Sequence, residues 1–288
     1  MDTSSRHASA PRTILITGCS TGIGYTCAHA MKQRGWRVFA AARKPGDVER
    51  LSAEGLEAVR LDYSDPASIE QAIGHVLKAT GNKLDVLFNN GAYGQPGAIE
   101  DITPEVMRAQ LEANFLGWHD LTRRVIPVMR KQGAGRIVNC GSVLGFIAMK
   151  YRGPYTASKY ALEGYSETLS HELWDSGIRV SLIDPGPIAT NFAKNATAAF
   201  AQNVDIENSA HADVYRRRLE FLKRGGSQSR LKLGPEAVLE KLVHAIESPN
   251  PRMRYNVTVP THALSFLKRI LPTGMMLALL RWLSDKET

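Results

Sequence analysis

Tyr155 and Lys159 stand four residues apart in the stretch GPYTASKYALEGYSETLSHEL (153–173), behind Pro154 and beside Ser158. Positions i and i+4 are neighbours on one helix face, so a helix here sets a phenol one turn from an ammonium. A phenol with a pKa near ~10 is a poor acid or base at neutral pH. A fixed positive charge nearby favours the phenolate and lowers that pKa, which makes the tyrosine usable as a proton donor or acceptor. Alone, such a pair is usually a solvated helix face. Two further residues argue for chemistry. Ser142 follows the apolar run GRIVNCG (135–141), where a hydroxyl could hold a substrate oxygen and stabilise developing alkoxide charge. Asn114 could organise a water that carries protons toward Lys159.

A second group of residues has the form of a dinucleotide site. TGCSTGIG (17–24) places Gly18, Ser20, Thr21, Gly22, Ile23 and Gly24 directly after an apolar run and at the start of a helical pattern. Glycines there let the backbone turn sharply and approach a pyrophosphate, while the helix N-terminus supplies free N–H donors. About twenty residues on, an acid would hold an adenosine ribose 2′-hydroxyl. The chain instead has Arg43 and Lys44, two cations able to pair a 2′-phosphate, so NADP(H) is preferred over NAD(H). Asp47 is the nearby acid that opposes this reading, and an ordinary exposed loop pair is the plainer one. Asp62 could accept from an adenine amino group or cap a turn. In NNGAYG (89–94), Asn90, Gly91 and Ala92 could approach the cofactor, with Asn89 and Asn90 alternatively forming a turn.

These residues need a scaffold that brings strand ends together. Nearly continuous apolar runs at 12–17, 36–42, 56–62, 84–90, 135–141 and 178–184 suit strands covered on both faces. Helical patterns at 22–34, 66–79, 104–131 and 154–176 separate several of them; the third opens with Thr103-Pro104-Glu105, a cap and a first-turn proline. Within 154–176, Ala161, Tyr165, Leu169 and Leu173 predict one packed stripe. The expected architecture is α/β, a doubly wound parallel sheet. Residues 191–234 read as one or two loosely anchored helices without a strand, followed by a helix near 235–248, a strand near 252–259 and a final amphipathic helix.

At 288 residues, 43% apolar and 22% charged, the chain is a folded globular protein of one large or two small domains. Residues 1–18 show no basic segment followed by an apolar one, so no secretory signal is expected. Three cysteines without paired spacing, and histidines without a ligand pattern, predict a reduced cytoplasmic setting and no structural metal. The net charge of +8 fits nucleic acid, anionic lipid or an enzyme of a polyanionic cofactor. The cluster Arg216-Arg217-Arg218 with Lys223-Arg224 lacks interleaved aromatics beyond Tyr215 and Phe221, so no nucleic-acid partner is expected.

The stretch 261–288 is interrupted at Pro272-Thr273-Gly274 and is too short for a spanning helix, which needs ~20 apolar residues. Leu264, Leu267, Ile270 and Leu271 are expected on one face, as are Met276, Leu279, Leu280 and Leu283. Three readings stand: a lid over an apolar substrate, an oligomer contact, or a basic helix making peripheral membrane contact through 261–284.

Taken in order, TGCSTGIG, NNGAYG, Asn114, Ser142, the Tyr155–Lys159 pair and DPGPIAT (184–190) resemble the short-chain dehydrogenase/reductase family over about residues 12–190. The resemblance implies a Rossmann fold and hydride transfer between NAD(P)(H) and an alcohol or carbonyl. It further implies that Pro185, Gly186, Ile188 and Thr190 lie along the nicotinamide and that Lys159 binds its ribose. The glycine loop with Arg43, together with NNGAYG, looks like the hydroxysteroid and retinol dehydrogenase branch and its aldehyde-reducing bacterial relatives. Gly91-Ala92 departs from the family's usual Ala-Gly order. Association through helices implies a homodimer or homotetramer.

The expected protein is a single Rossmann domain, with 12–190 as cofactor and catalytic core, 191–234 as substrate-binding insertion and 260–288 as C-terminal amphipathic helix. Its expected activity is an NADPH-preferring carbonyl reductase or alcohol dehydrogenase for a small apolar aldehyde, ketone, retinoid or steroid-like substrate. Asn114, Ser142, Tyr155 and Lys159 carry the chemistry in that reading. The alternative is a non-catalytic NADP(H)-sensing protein.

Overall fold

The computed structural model describes residues 11–223 and 231–286. Seven strands form one parallel sheet: β1 (Thr13–Ile16), β2 (Arg37–Ala42), β3 (Glu57–Arg60), β4 (Val86–Asn89), β5 (Gly135–Cys140), β6 (Ile178–Asp184) and β7 (Arg254–Asn256). Their spatial order is β3-β2-β1-β4-β5-β6-β7, so the chain reverses direction across the sheet between β1 and β4. In such a doubly wound sheet the crevice beyond the carboxyl ends of the strands at that switch is the natural ligand site. The inner strands are apolar on both sides because helices cover both faces: Ile14, Leu15, Ile16, Phe39, Leu87, Phe88, Ile137 and Leu182 are all fully buried.

The helices are α1 (Gly22–Gln33), α2 (Pro45–Ala53), α3 (Pro66–Thr80), α4 (Pro104–Leu111), α5 (Gly117–Gln132), α6 (Gly153–Glu172), α7 (Phe192–Asn203), α8 (Ala212–Lys223), α9 (Glu236–Glu247), α10 (Val259–Ile270) and α11 (Thr273–Lys286). The sequence reading lacks α2. Its Pro-Gly-Asp opening looks like a turn, and only Leu51 is buried, so no apolar stripe marks it. The expected helix 104–131 is α4 and α5 joined by a π-helical turn, Glu112–Leu116, which carries Asn114. Such turns interrupt the regular ladder and are frequent at functional sites.

Three expectations change. The packed stripe of α6 runs through Ser158, Lys159, Leu162, Glu163, Ser166 and Leu169, while Ala161 and Tyr165 lie to one side, half-buried. Polar residues face inward because they meet buried polar partners, Ser166 with Asn139, Lys159 with Cys140 O and Glu163 with Arg254, which an apolar period of four does not reveal. Second, the insertion is not loosely anchored where it is described, over 191–223 and 231–234. Phe200, Val204 and Tyr215 bury themselves around Ala98, and the Tyr215 hydroxyl reaches Asp101 Oδ2 and Ala98 N at 2.6 and 2.7 Å. Leu233 also pairs with Ile188 in an isolated bridge. Third, the C-terminal helix is two helices separated at Leu271 and Pro272, with Ile270 facing outward, away from Leu264, Leu267 and Leu271. Arg216 pairs with Glu207 and Asp213, as on a solvated helix face; residues 1–10 and Arg224 lie outside the described residues.

Candidate active site

The cradle at the switch point is built of backbone packed against backbone. Gly18 has φ +68° and Gly22 φ +63°, left-handed values that disfavour any side chain. A Cβ on Gly18 would lie 2.5 Å from Gly91 Cα, and one on Gly24 would lie 2.4 Å from Gly18 O. A Cβ on Gly22 would meet the Thr190 methyl at 2.9 Å, so the segment after β6 closes over the start of α1. Thr21 caps α1 without a side-chain hydrogen bond, leaving the first-turn N–H groups directed at the crevice beside Ser20 and Ile23. Uncapped donors at a twelve-residue helix, framed by glycines that admit no Cβ, fit a pyrophosphate.

Residues outside the sequence-predicted set hold this cradle. Thr17 Oγ1 accepts from Asn90 N at 2.8 Å and Gly91 N at 3.1 Å, tying the end of β1 to the end of β4. The Tyr63 hydroxyl lies 2.8 Å from both Thr17 Oγ1 and Asn89 Oδ1. Asn90 Nδ2 donates to Thr17 O at 3.0 Å, so its side chain braces the loop. The Trp118 indole donates to Gly91 O at 3.0 Å. An alanine Cβ at 91 would sit 3.1 Å from Gly18 N, so the Gly91-Ala92 order puts the smaller residue where the loop passes closest.

Arg43 and Lys44 are exposed at the end of β2, and the Arg43 charge reaches the Tyr93 phenol beside the crevice. Asp47 is engaged by Arg50, 3.3 Å away, and Arg50 also donates to Ser20 O at 2.7 Å. Asp62 accepts from Ser64 N at 3.1 Å, the turn-capping role. Across the crevice, Val143 N donates to Pro185 O at 2.9 Å. Gly186 is held against Thr258 and Thr261, whose hydroxyls a Cβ would meet at 2.2 and 2.6 Å.

The catalytic candidates converge at the ends of β5 and α6. Ser142 accepts from Leu144 N at 3.1 Å and shares a hydrogen bond with the Tyr155 hydroxyl. Lys159 is buried, and its ammonium donates to Cys140 O at 2.6 Å, 4.6 Å from the Trp118 ring centre and 5.7 Å from that of Tyr155. Burial lowers the Lys159 pKa to about 8, opposed by Cys140, Asp184 and Glu163. The Tyr155 phenol departs from expectation: burial pushes its pKa up, and the lowering comes from Ser142 and from the Arg152 charge, not chiefly from Lys159. Desolvation disfavours a phenolate more than these groups favour it.

Asn114 is fully buried and clamps the backbone of Tyr93: its Nδ2 donates to Tyr93 O at 2.8 Å, and its Oδ1 accepts from Tyr93 N at 3.2 Å. Nδ2 also lies 3.3 Å from Ser158 Oγ, which in turn donates to Tyr155 O at 2.7 Å. The side chain thus couples the end of β4 to the helix of Tyr155.

One turn beyond Lys159, Glu163 meets Asp184, and Arg254 of β7 binds both, with 2.7 Å to Asp184 Oδ2 and a second contact to Glu163. Glu163 Oε1 and Asp184 Oδ1 are buried without a donor. Burial first, and then the Glu163 charge, push the Asp184 carboxyl well above the usual range against the pull of Arg254.

Tyr155 opens on a cavity of about 270 Å³ lined by Gly94, Gln95, Pro96, Leu144, Arg152, Phe192 and Ala196. Phe192 stands edge-on to Tyr155 at 5.3 Å between ring centres. A second cavity of about 340 Å³ adjoins at Pro96, walled by Tyr151, Phe200, Tyr215 and Leu219. Among the described residues there is no group of three or more His, Cys, Asp or Glu placed to hold a metal ion, and no helix long and apolar enough to cross a membrane.

Comparison with known proteins agrees with this geometry. The model of the short chain dehydrogenase family matches residues 12–200. The chain is 43% identical over 265 residues to the uncharacterized oxidoreductase YbbO of Escherichia coli (strain K12), covering 92% of each protein. It is 32% identical to a 3-ketodihydrosphingosine reductase of Bacteroides thetaiotaomicron, covering 94% of this chain and 97% of that one. A short chain dehydrogenase/reductase from Burkholderia phymatum, solved in complex with NAD, superposes with a TM-score of 0.77 at 26% identity, over 94% of this chain and 95% of that one.

Proposed function

The chain belongs to the short-chain dehydrogenase family and is an oxidoreductase of a nicotinamide nucleotide; from that premise we propose that it interconverts an alcohol and an aldehyde or ketone on an apolar substrate, preferring NADP(H). The observation that carries the proposal is Tyr155, hydrogen-bonded to Ser142 and set above buried Lys159, at the mouth of an apolar cavity beside the glycine cradle.

Gly18, Ser20, Thr21, Gly22, Ile23 and Gly24 would hold the pyrophosphate, Asp62 and the backbone of Asn90, Gly91 and Ala92 the adenosine side, and Pro185, Gly186, Ile188 and Thr190 the nicotinamide. When bound, the nicotinamide supplies or accepts the hydride. Ser142 orients the substrate oxygen through its hydroxyl, and Tyr155 passes the proton to or from that oxygen. A phenol raised by burial holds its proton at neutral pH, which suits the donor role in carbonyl reduction. Lys159 would hold the nicotinamide ribose, and its buried ammonium stands 5.7 Å from the Tyr155 ring centre. Asn114 holds the π-helical turn in register with Tyr155, where water for the relay is organised.

The preference for NADP(H) rests on Arg43 and Lys44 at the end of β2 and on Asp47 being occupied by Arg50. The apolar substrate class rests on Phe192, Ala196 and Leu144 around Tyr155, and a relative named for reducing a ketone of a sphingoid chain supports it. Association of two or four copies and a cytoplasmic setting complete the reading.

The test is cofactor consumption with NADPH beside NADH, against medium- and long-chain aldehydes, retinal and ketosteroids. The expected result is turnover on one class with a higher kcat/KM for NADPH. Tyr155→Phe is expected to bind NADPH as the parent does and to lose turnover by about 10²–10⁴-fold. Near-parental activity in that variant would sink the assignment, and tight NADPH binding without turnover on any class would favour a sensor.

A further inference from the structure

The two C-terminal helices are apolar on opposite faces. Their inner faces, Leu264, Leu267 and Leu271 of α10 with Met276, Leu279, Leu280 and Leu283 of α11, pack on Leu144, Phe146 and Ile147 beside Tyr155. Both inner faces converge on one cluster, so the outer face of each helix points away from it. On α10 the outer face carries Val259, Ala263, Phe266 and Ile270, whose spacing of four, three and four makes a single stripe. Phe266 is 63% and Ile270 56% exposed. On α11, Met275, Ala278 and Trp282 repeat the pattern, with Met275 59% and Trp282 53% exposed. Among the described residues, the outward apolar stripe on each of these two adjacent helices packs against no cluster of the core.

Charge decides what covers it. Across Val259–Lys286 the cations are Lys268, Arg269, Arg281 and Lys286, and the one acid is Asp285, which is bound by Lys150. Lys268 turns inward to Phe146 O and the Tyr160 hydroxyl. Arg269, Arg281 and Lys286 are exposed beside the stripes, with the Lys286 ammonium 3.6 Å from the Trp282 ring centre. In a two-fold contact the same patch meets itself, so a second copy would set this cationic border against its own image. A surface that is apolar beneath and anionic above matches both components.

We propose that α10 and α11 are an interfacial docking surface for a bilayer containing anionic phospholipid. The Phe266 and Trp282 stripes enter the boundary between headgroups and acyl chains, and Arg269, Arg281 and Lys286 engage the headgroups. Helices of 12 and 14 residues broken at Pro272 lie on such a surface and do not span it. The inner faces rest on the loop that carries Leu144 and Ile147, so docking brings the Tyr155 cavity toward a reservoir of apolar molecules. The surface stands independently of the catalytic assignment.

The experiment is sedimentation of the full chain with vesicles of phosphatidylcholine alone or with phosphatidylglycerol, at low and high salt, with tryptophan emission followed in parallel. Expected are binding to the phosphatidylglycerol vesicles that weakens with salt, and a blue shift absent from Trp282→Phe. Phe266→Gln and Trp282→Gln, both at exposed positions, should each lower the partition coefficient about tenfold. Arg269→Gln and Arg281→Gln should each lower it about fivefold. Three results overturn the proposal: no binding to anionic vesicles, equal binding to phosphatidylcholine, or concentration-dependent self-association that Phe266→Gln abolishes, which would assign the face to a second copy.

Discussion

The two walls of the crevice are made differently. On the side of β1 and β4, backbone meets backbone: Gly18 and Gly24 stand at distances that leave no space for a methyl group, and Gly91 packs tightly against Gly18. Around Tyr155, the cavity is walled largely by side chains, the apolar Phe192, Ala196 and Leu144 together with Gln95 and Arg152. A ligand common to a whole family can be met by a backbone mould, which tolerates no variation. A substrate that differs among relatives is met by side chains, which can be exchanged without disturbing the sheet. Lys159 lies between the two walls, buried under Trp118 and Tyr155, and belongs to both.

The largest break in this contrast is expected at the mould. Gly18→Ala adds a methyl at 2.5 Å from Gly91 Cα on a residue with φ +68°, and should cost on the order of 3 kcal/mol or abolish NADPH binding. Thermal unfolding and NADPH titration read both effects, and an unchanged Tm with unchanged binding would dissolve the distinction between the walls.

An effect of similar size, spread over a pH window, is expected at Lys159. An unfolded lysine keeps its proton up to about 10.5, whereas buried Lys159 yields it near about 8. Between these values the unfolded state binds more protons, so this group makes stability rise with pH across that window. The gain is on the order of 3 kcal/mol for a fully buried group. Lys159→Met should flatten the rise in urea unfolding between the two values; a parallel profile in both proteins would show that the ammonium is solvated.

The smallest effect, and the one that sharpens the comparison, is at the substrate wall. Phe192→Ala removes the ring that stands edge-on to Tyr155, and should raise KM for an apolar substrate about tenfold while leaving KM for NADPH alone. A matching rise in both constants would mean that α7 supports the cofactor side as well.

The physical scale of each interaction explains what could be read in advance. Tyr155 and Lys159 share a face because their spacing is local to one helix, and the glycine spacing after β1 is likewise contained within a single turn. The same locality made the strands legible, since burial on both faces leaves apolar runs. α2 was not legible, because with Leu51 alone buried it leaves no pattern. Nor was the polar inner face of α6, where Glu163 and Ser166 are buried by partners far along the chain.

By itself, then, the sequence determined the doubly wound order of elements, the glycine turn after β1 and the pairing of Tyr155 with Lys159 on one helix face, since each is written in residues a few positions apart. Tertiary structure alone decided that Arg254 pairs with Asp184 from 70 positions along the chain, that Arg50 rather than Asp47 meets the glycine loop through Ser20, and that Lys159 is desolvated. It also decided that Ile270 turns outward while Leu267 turns inward. These outcomes depend on which strands become neighbours and how much water is excluded between them, and both are properties of the packed sheet and not of any short stretch of chain.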